Sequence, residues 1–301
     1  MRVSVEALRA QLSPATRRRL RDYVQLMRLD RPIGIALLLW PTLWALWVAS
    51  RGRPSLALLA IFVTGTLLMR SAGCVVNDFF DRNIDPYVRR TRWRPLAARR
   101  LSPWEALALA VGLALLALLL ALRLNAAALK LAWIGAAITV SYPLFKRFFP
   151  IPQLYLGVAF GWGVPMAFAA ELGVVPRAGW LMLVAAVLWA GVYDTWYARM
   201  DRADDARLGV KSSALLFGDL DLLMIGIMQA MMIVTLLLMG RTLALSLIYF
   251  TALGVGACCF AWQQWVARGR DVAGCQRAFL NNNYFGMIVL AGLVLEYAVR
   301  R

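Results

Sequence analysis

The chain alternates between long apolar stretches and short polar ones. Each apolar stretch is close to the ~17–25 residues that a helix needs to cross a bilayer. The pattern therefore predicts an all-α, polytopic membrane protein with nine transmembrane helices around a central cavity. The predicted spans are Pro32–Ser50, Ser55–Asp78, Trp104–Leu122, Ala126–Tyr142, Pro152–Leu172, Gly179–Arg199, Leu220–Gly240, Leu243–Val266 and Arg277–Val299.

Composition and charge agree with a membrane protein. Of the 301 residues, 61% are hydrophobic and only 16% are charged, which excludes an ordinary soluble domain. The net charge of +17 would suit nucleic acid binding, but 24 of the 33 Lys and Arg residues fall in alternate exposed segments. This positive-inside pattern predicts a cytoplasmic N-terminus, a periplasmic C-terminus and a cavity open to the cytoplasmic face. We expect the basic tail to lie along anionic lipid headgroups, not on nucleic acid.

The chain shows no long linker, so we predict one membrane domain, residues 24–301, behind a basic cytoplasmic tail, residues 1–23. The tail lacks the short apolar core and cleavage site of a signal peptide. The four cysteines lack C-x-x-C spacing, and the chain has no histidine. A disulfide framework and a zinc site are therefore not indicated, and chemistry is left to carboxylates, Lys, Arg, Tyr or a metal.

A string of acids closes the second apolar stretch. Ionisable side chains are costly inside a membrane, and those that are found there usually serve a function. The cluster therefore indicates a functional site. On a continuing helix, Asn77, Asp81 and Asp85 would follow one another at i, i+4 spacing, with Asp78 one step around. This face is the first acidic wall.

A second acidic wall lies in the sixth stretch, where Asp194, Asp201 and Asp205 are spaced by seven and four. Spans two and six run in the same direction, so both walls should meet at the cytoplasmic face. Carboxylate and amide oxygens suit Mg²⁺, which commonly binds through one or two carboxylates plus a substrate phosphate. The alternative is that these acids are solvated and paired with neighbouring arginines.

Basic residues around the walls could bind a phosphate group. Arg82 follows the first wall, and Lys211 follows the second. Arg70 lies about two turns deeper than Asn77, where it would bind an anionic substrate group or form a structural ion pair. Lys146 and Arg147 could bind phosphate, or could extend to the membrane interface.

These residues resemble the UbiA superfamily of intramembrane prenyltransferases, and within it the bacterial branch that prenylates 4-hydroxybenzoate. The family pattern NDxxDxxxD is met by Asn77, Asp78, Asp81 and Asp85, and DxxxD by Asp201 and Asp205. The similarity covers Asp30–Ser50, Ala72–Asp85, Tyr142–Arg147, Phe160–Ala170, Tyr193–Gly218 and Phe279–Gly286. Ala203 departs from the family, which often has an acid there, and the tail before Val24 lies outside the similarity.

The resemblance implies an enzyme of a bacterial inner membrane that transfers a polyprenyl group from polyprenyl diphosphate to 4-hydroxybenzoate, a step of ubiquinone synthesis. It implies two Mg²⁺ ions held by Asn77, Asp78, Asp81 and Asp85 of the first wall and by Asp201 and Asp205 of the second. Asp81 and Asp201 are expected to be central to catalysis. It also implies that Tyr142, Lys146, Lys211 and Ser212 contact substrate. Asp194 is the candidate for activating the phenol. Another acceptor, such as a naphthoate or porphyrin, or a transporter role, is the alternative.

Overall fold

A computed structural model of the chain describes residues 13–145, 152–209 and 212–300. Within these ranges the structure contains helices and turns and no strand. The α-helices are α1 (Pro14–Leu26), α2 (Ile33–Ala49), α3 (Leu56–Asp81), α4 (Pro103–Ala121), α5 (Ala126–Phe145), α6 (Pro152–Gly161), α7 (Gly163–Leu172), α8 (Arg177–Leu208), α9 (Ser213–Phe217), α10 (Asp221–Thr242), α11 (Leu247–Val266) and α12 (Val272–Val299). Short 3₁₀ helices cover Asp85–Tyr87 and Gly218–Leu220.

The helical, membrane-type architecture predicted from the apolar pattern is confirmed. Seven helical segments of the described chain are long and apolar enough to cross a membrane. The other two predicted spans correspond to the shorter apolar helices Ile33–Ala49 and Ala126–Tyr142. The fifth predicted span is divided at Trp162 into α6 and α7.

Local sequence determines where several helices begin and end. The Ser55 hydroxyl accepts the Leu58 N–H at 3.2 Å at the start of α3, and Asp271 accepts the Gly274 N–H at 3.0 Å at the start of α12. Such side-chain caps satisfy N–H groups that have no partner within the helix. Helix α8 ends where Gly209 adopts a left-handed φ of 67°, a conformation that glycine adopts without strain.

The core lies between α2, α8 and α12, where large aromatic side chains stack. The Trp44 and Trp189 rings are 5.3 Å apart and nearly parallel, and Phe285 packs on the edge of Trp44. The Trp44 indole donates to the Gly286 carbonyl at 3.0 Å. A Cβ on Gly286 would lie 2.3 Å from Trp40, so only glycine permits this approach. The aromatic contact fixes α8 beside α2 and α12.

Hydrogen bonds between helices fix the rotation of α8. The indole of Trp189 donates to Asn282 at 2.8 Å, and that of Trp196 donates to Gln263 at 3.2 Å. In an apolar environment such polar groups need partners. At 3.6 residues per turn, Asp194 and Asp201 lie roughly 120–160° around the helix from these tryptophans. The bonds therefore turn the acidic face away from α11 and α12.

Helix α1 packs on the segment between α3 and α4, residues 82–102. Asp22 is buried and ion-paired with Arg100, and Leu26 is buried against Val75 and Leu96. The predicted domain boundary after residue 23 lies inside this helix. Helix α1 thus holds the 82–102 segment against the end of α3.

Candidate active site

A cavity of about 1810 Å³ lies between α2, α3, α6, α8 and α12, with the 82–102 segment at one end. Asn77 and Asp78 line it from α3, and Asp194 and Asp201 line it from α8. Residues that are more than a hundred positions apart in sequence therefore share one cavity. The structure places the two predicted walls opposite each other.

The first acidic wall departs from the predicted stripe. Helix α3 ends at Asp81, and Asp85 begins a separate 3₁₀ helix. Pro86 has no N–H to continue the α-helical hydrogen bonding of α3, whereas it is tolerated in the first turn of a new helix. The predicted i, i+4 continuation to Asp85 is therefore wrong, whereas Asn77 and Asp81 are one turn apart, with the Asn77 amide donating to Asp81 at 3.0 Å.

On the second wall, Asp201 accepts hydrogen bonds from Arg90, with Nε to Oδ1 at 2.9 Å and a second contact from Nη2. The Arg90 guanidinium also lies 4.2 Å over the Tyr197 ring. Asp194 lies about two helical turns deeper and lines the cavity. Asp205 continues α8 and is not among the cavity-lining residues.

Two further wall carboxylates are held by arginines. Arg28 Nη2 lies 2.8 and 3.0 Å from the two Asp78 oxygens. Arg94 Nη1 lies 3.0 Å from Asp78 and 2.9 Å from Asp85. Burial raises the pKa of Asp85, an effect that the Arg94 charge opposes. Burial disfavours the charge on Arg94, but the carboxylates of Asp78 and Asp85 outweigh it and raise the pKa of Arg94.

The wall residues fit a hard divalent cation by the chemistry of their donors. The described part of the chain contains no preformed cluster of three Asp, Glu or Cys residues around one point. Asn77, Asp194 and Asp201 nevertheless bring oxygen atoms to one cavity. Asp81 does not line this cavity but accepts a hydrogen bond from the Asn77 amide. Such oxygen donors are the ones that Mg²⁺ prefers, together with substrate phosphate. Pairing with arginine, the alternative reading, is observed for Asp78, Asp85 and Asp201.

Arg70 lines the deep part of the cavity. Its guanidinium carbon lies 5.7 Å from the centre of the Phe160 ring, and Nη1 contacts the Cys74 sulfur. Its Nε is buried and has no hydrogen-bond partner among the described residues. Gly34 makes room for the side chain, because a Cβ there would lie 2.7 Å from Arg70 Nη2. Tyr142 lines the same cavity.

Of the other predicted substrate contacts, Arg82 and Ser212 are described by the structure and do not line the cavity. Arg82 turns back on its own helix, where it donates to the Phe79 carbonyl at 2.6 Å and lies 4.4 Å over the Phe79 ring. Ser212 is buried before α9 but does not line the cavity. Lys146, Arg147 and Lys211 lie outside the described residues.

The sequence did not single out Arg28, which lies just before the region of family similarity. Arg90 and its neighbours after the first wall were predicted as counter-charges for a bound diphosphate, not as partners of the wall carboxylates. Their partners are distant in sequence, Asp78 by 50 positions and Asp201 by 111. The signal available in advance was the excess of arginine around two acidic walls, which needed counter-charges.

The cavity continues into an apolar slot between α3, α4 and α5. Four lining residues of α4, Leu107, Ala110, Val111 and Ala114, follow one another at helical spacing on one face. Val111 is 51% exposed and Val140 of α5 is 68% exposed, although both line the cavity. The slot therefore opens sideways, at a surface that would face lipid.

Comparison with known proteins was made by sequence and by structure. A profile of the UbiA prenyltransferase family matches residues 38–288. The chain is 51% identical over 281 residues to a 4-hydroxybenzoate octaprenyltransferase of Nitrosococcus oceani, covering 93% of this chain and 99% of the relative. It is 52% identical over 282 residues to the protein of the same name from Thiobacillus denitrificans, covering 94% and 96%.

Solved structures share the fold. An apo UbiA homologue from Aeropyrum pernix K1 superposes with a TM-score of 0.74 at 25% identity, covering 86% of this chain and 97% of that one. A UbiA homologue from Archaeoglobus fulgidus, bound to GPP and Mg²⁺, superposes with a TM-score of 0.64 at 17% identity, covering 92% and 99%. At that identity the second likeness shows the fold alone.

Proposed function

The chain belongs to the UbiA prenyltransferase family, and on that premise we propose that it is a 4-hydroxybenzoate polyprenyltransferase of ubiquinone synthesis. It transfers the polyprenyl group of polyprenyl diphosphate to the ring carbon ortho to the hydroxyl, releasing diphosphate. The observation that carries the proposal is about 50% identity, over nearly the whole length, to enzymes of that name. The test is release of diphosphate and formation of prenylated product by purified protein. An acceptor panel including a naphthoate and a porphyrin separates the related activities.

The donor chemistry of the walls supports a Mg²⁺-dependent reaction. Asn77 and Asp81 on α3, with Asp201 and Asp205 on α8, would supply oxygen ligands. When bound, Mg²⁺ would neutralise charge on the departing diphosphate. Asp201 can act as a ligand because it has a single arginine partner among the described residues and its side chain keeps 15% exposure.

The chain's own groups account for the rest of the reaction. Breaking the carbon–oxygen bond leaves an allylic cation, whose charge the π faces of cavity aromatics such as Phe160, Tyr193 and Phe279 stabilise. The electron-rich ortho carbon of the acceptor then forms the new carbon–carbon bond, after which a base removes the proton from that carbon and the ring regains its aromaticity. Asp194 is placed on the cavity wall to draw the phenol proton during this attack. Arg70, deeper in the cavity, would bind the acceptor carboxylate.

The apolar slot between α3, α4 and α5 would hold the polyprenyl chain of the donor. It is continuous with the acid-lined cavity and opens to the membrane-facing surface. Ala114 lies eleven residues into α4, about 16 Å along the helix axis. A long chain therefore passes Ala114, whereas a short geranyl chain ends closer to the diphosphate.

Ala114→Phe should lower kcat/KM for octaprenyl diphosphate about 10-fold or more. The kcat/KM for geranyl diphosphate should stay within about 3-fold of the parent value. The reason is that the phenyl ring narrows a part of the slot that only a long chain reaches. The matched control is Ala108→Phe, the same change at an exposed position of α4 outside the slot. Steady-state kinetics with both donors provides the measurement. Equal loss with both donors would place the chain elsewhere.

We also propose nine spans, a cytoplasmic N-terminus and a cavity that faces the cytoplasm, as the distribution of Lys and Arg supports. In a cysteine-free background, cysteines at Arg92 and Ala206 should react with an impermeant thiol reagent only from the cytoplasmic side. A cysteine at Arg53 should react only from the periplasmic side. All three residues are exposed. Labelling of positions 92 and 206 from opposite sides would contradict the shared cavity face.

A further inference from the structure

Four charged residues beside the cavity form a closed set, which we name the Asp78 quartet: Arg28, Asp78, Asp85 and Arg94. Arg28 binds both oxygens of Asp78, and Arg94 bridges Asp78 and Asp85 through a single nitrogen at 3.0 and 2.9 Å. The set contains two positive and two negative charges and is therefore neutral. It joins the link between α1 and α2, the end of α3 and the 82–102 segment.

Asp78 matches the family's acidic pattern, yet its surroundings differ from those of a cation ligand. Its side chain is 1% exposed and has two guanidinium partners that come from different segments. A cation that binds Asp78 would have to displace both arginines. Each guanidinium would then lose its carboxylate partner and lie close to the positive charge of the cation. Removing one member of a buried, hydrogen-bonded charge set is strongly unfavourable. Asp201, with one arginine and an exposed edge, has no such obstacle.

The arginines of the quartet face the cavity. Arg28 and Arg94 both line it, and their side chains keep 19% and 16% exposure. Arg94 uses only Nη1 for its two carboxylates, and its other guanidinium nitrogens bond no other described residue. Guanidinium groups with free N–H donors are the preferred protein partners of phosphate oxygens.

The backbone conformation of Arg28 directs its side chain toward Asp78. Arg28 adopts a left-handed φ of 57°, which is unfavourable for a residue with a Cβ. The conformation occurs just past the end of α1, where the Arg28 side chain donates to the Gln25 carbonyl at 2.9 Å and reaches Asp78. The same left-handed conformation occurs at Arg51, Arg99, Ala244 and Arg270 and is common where a helix ends, so at Arg28 it serves to direct the side chain.

From these contacts we infer that Asp78 is not a metal ligand but a positioning residue, which with Asp85 holds Arg28 and Arg94 toward the diphosphate of the prenyl donor. The inference rests on the proposed function, since it takes a prenyl diphosphate as the ligand. Asp78 itself contacts neither the donor nor the cation. It fixes the direction of two arginines that do touch the donor, and its carboxylate keeps their combined charge balanced before the donor arrives.

Asp78→Asn should raise the KM for geranyl diphosphate about 10-fold or more while kcat changes less than about 5-fold. Mn²⁺ binding, titrated by EPR with saturating inorganic diphosphate, should stay within about 3-fold of the parent. Asp81→Asn, at a proposed ligand, should weaken Mn²⁺ at least about 10-fold in the same titration. Arg28→Gln should reproduce the Asp78→Asn kinetics, and the double variant should be little worse than either single one, because both remove the same interaction.

Asp22→Asn is the matched control. Asp22 is also a buried acid paired with an arginine of the 82–102 segment, Arg100, but neither residue lines the cavity. It should leave the KM for geranyl diphosphate unchanged, whatever it does to the melting temperature. If Asp78→Asn behaves in the same way, or if it weakens Mn²⁺ as much as Asp81→Asn does, the inference is overturned.

Arg28→Gln provides an independent test of the inference if Asp78→Asn does not fold. An unchanged KM in folded Arg28→Gln would by itself refute the role of the quartet. The titrations with Mn²⁺ and inorganic diphosphate do not involve 4-hydroxybenzoate. A parent that binds both but fails to prenylate this acceptor would therefore refute the proposed function and leave the positioning role intact.

Discussion

Replacing Asp81 or Asp201 by alanine should lower kcat by roughly 10³-fold or more, equivalent to about 4 kcal/mol of transition-state stabilisation. Asp201 lines the cavity, and Asp81 is hydrogen-bonded to Asn77, which lines it from the other wall. Each carboxylate would help to hold the charge that accumulates on the leaving diphosphate. Loss of either one should therefore be nearly as damaging as loss of both. Turnover at saturating Mg²⁺ in purified, correctly inserted protein provides the measurement.

The control for this prediction is Asp219→Ala. Asp219 has an 88% exposed side chain on the 3₁₀ turn before α10 and does not line the cavity. It should retain turnover close to that of the parent. Near-parental turnover in folded Asp81→Ala or Asp201→Ala would show that the leaving group departs without help from a wall carboxylate.

Arg70→Leu should leave the protein folded and cost roughly 2–4 kcal/mol in the binding or conversion of the substrate that it contacts. The reason is that Arg70 has a buried Nε without a partner and no carboxylate partner among its contacts in the described structure. Removing it breaks no ion pair within the described part of the chain. A raised KM for 4-hydroxybenzoate alone would assign Arg70 to the acceptor carboxylate, and a raised KM for the prenyl donor would assign it to phosphate.

Gly34→Ala tests the same role without removing the charge. The new methyl group would lie 2.7 Å from Arg70 Nη2, so the guanidinium must shift. The same KM should rise, by a smaller factor than in Arg70→Leu. Unchanged kinetics in both variants, together with a lower melting temperature, would leave Arg70 with a purely structural role.

The positions of the helices could be predicted from the sequence because hydrocarbon imposes a long apolar run on each span. Their ends could not. The sixth stretch was expected to end at Arg199, but α8 continues to Leu208. Hydropathy marks where the membrane ends, whereas a helix ends where its hydrogen bonding stops, here at Gly209. Similarly, α12 begins at Val272, before the predicted Arg277, because Asp271 caps it.

The meeting of the two acidic walls was also predictable, since charge placement gave spans two and six the same direction. The partners of those acids were not. Arg28 reaches Asp78 from another helix end, and Arg90 reaches Asp201 across 111 positions. Periodicity within one helix carries no information about such pairs. The prediction that Asp85 continues the acidic stripe was also wrong. Helix α3 ends at Asp81, and Pro86 has no N–H with which to extend it.

The sideways opening of the slot at Val111 and Val140 determines which concentration of the prenyl donor governs the reaction rate. A donor whose chain stays in the bilayer is not supplied from bulk water but diffuses in two dimensions among other lipids. Its effective amount is a mole fraction of the membrane, so adding inert lipid dilutes it even when the total quantity in the vessel is constant. The water-soluble acceptor follows ordinary molarity. Surface dilution would then govern one substrate of the reaction and bulk dilution the other.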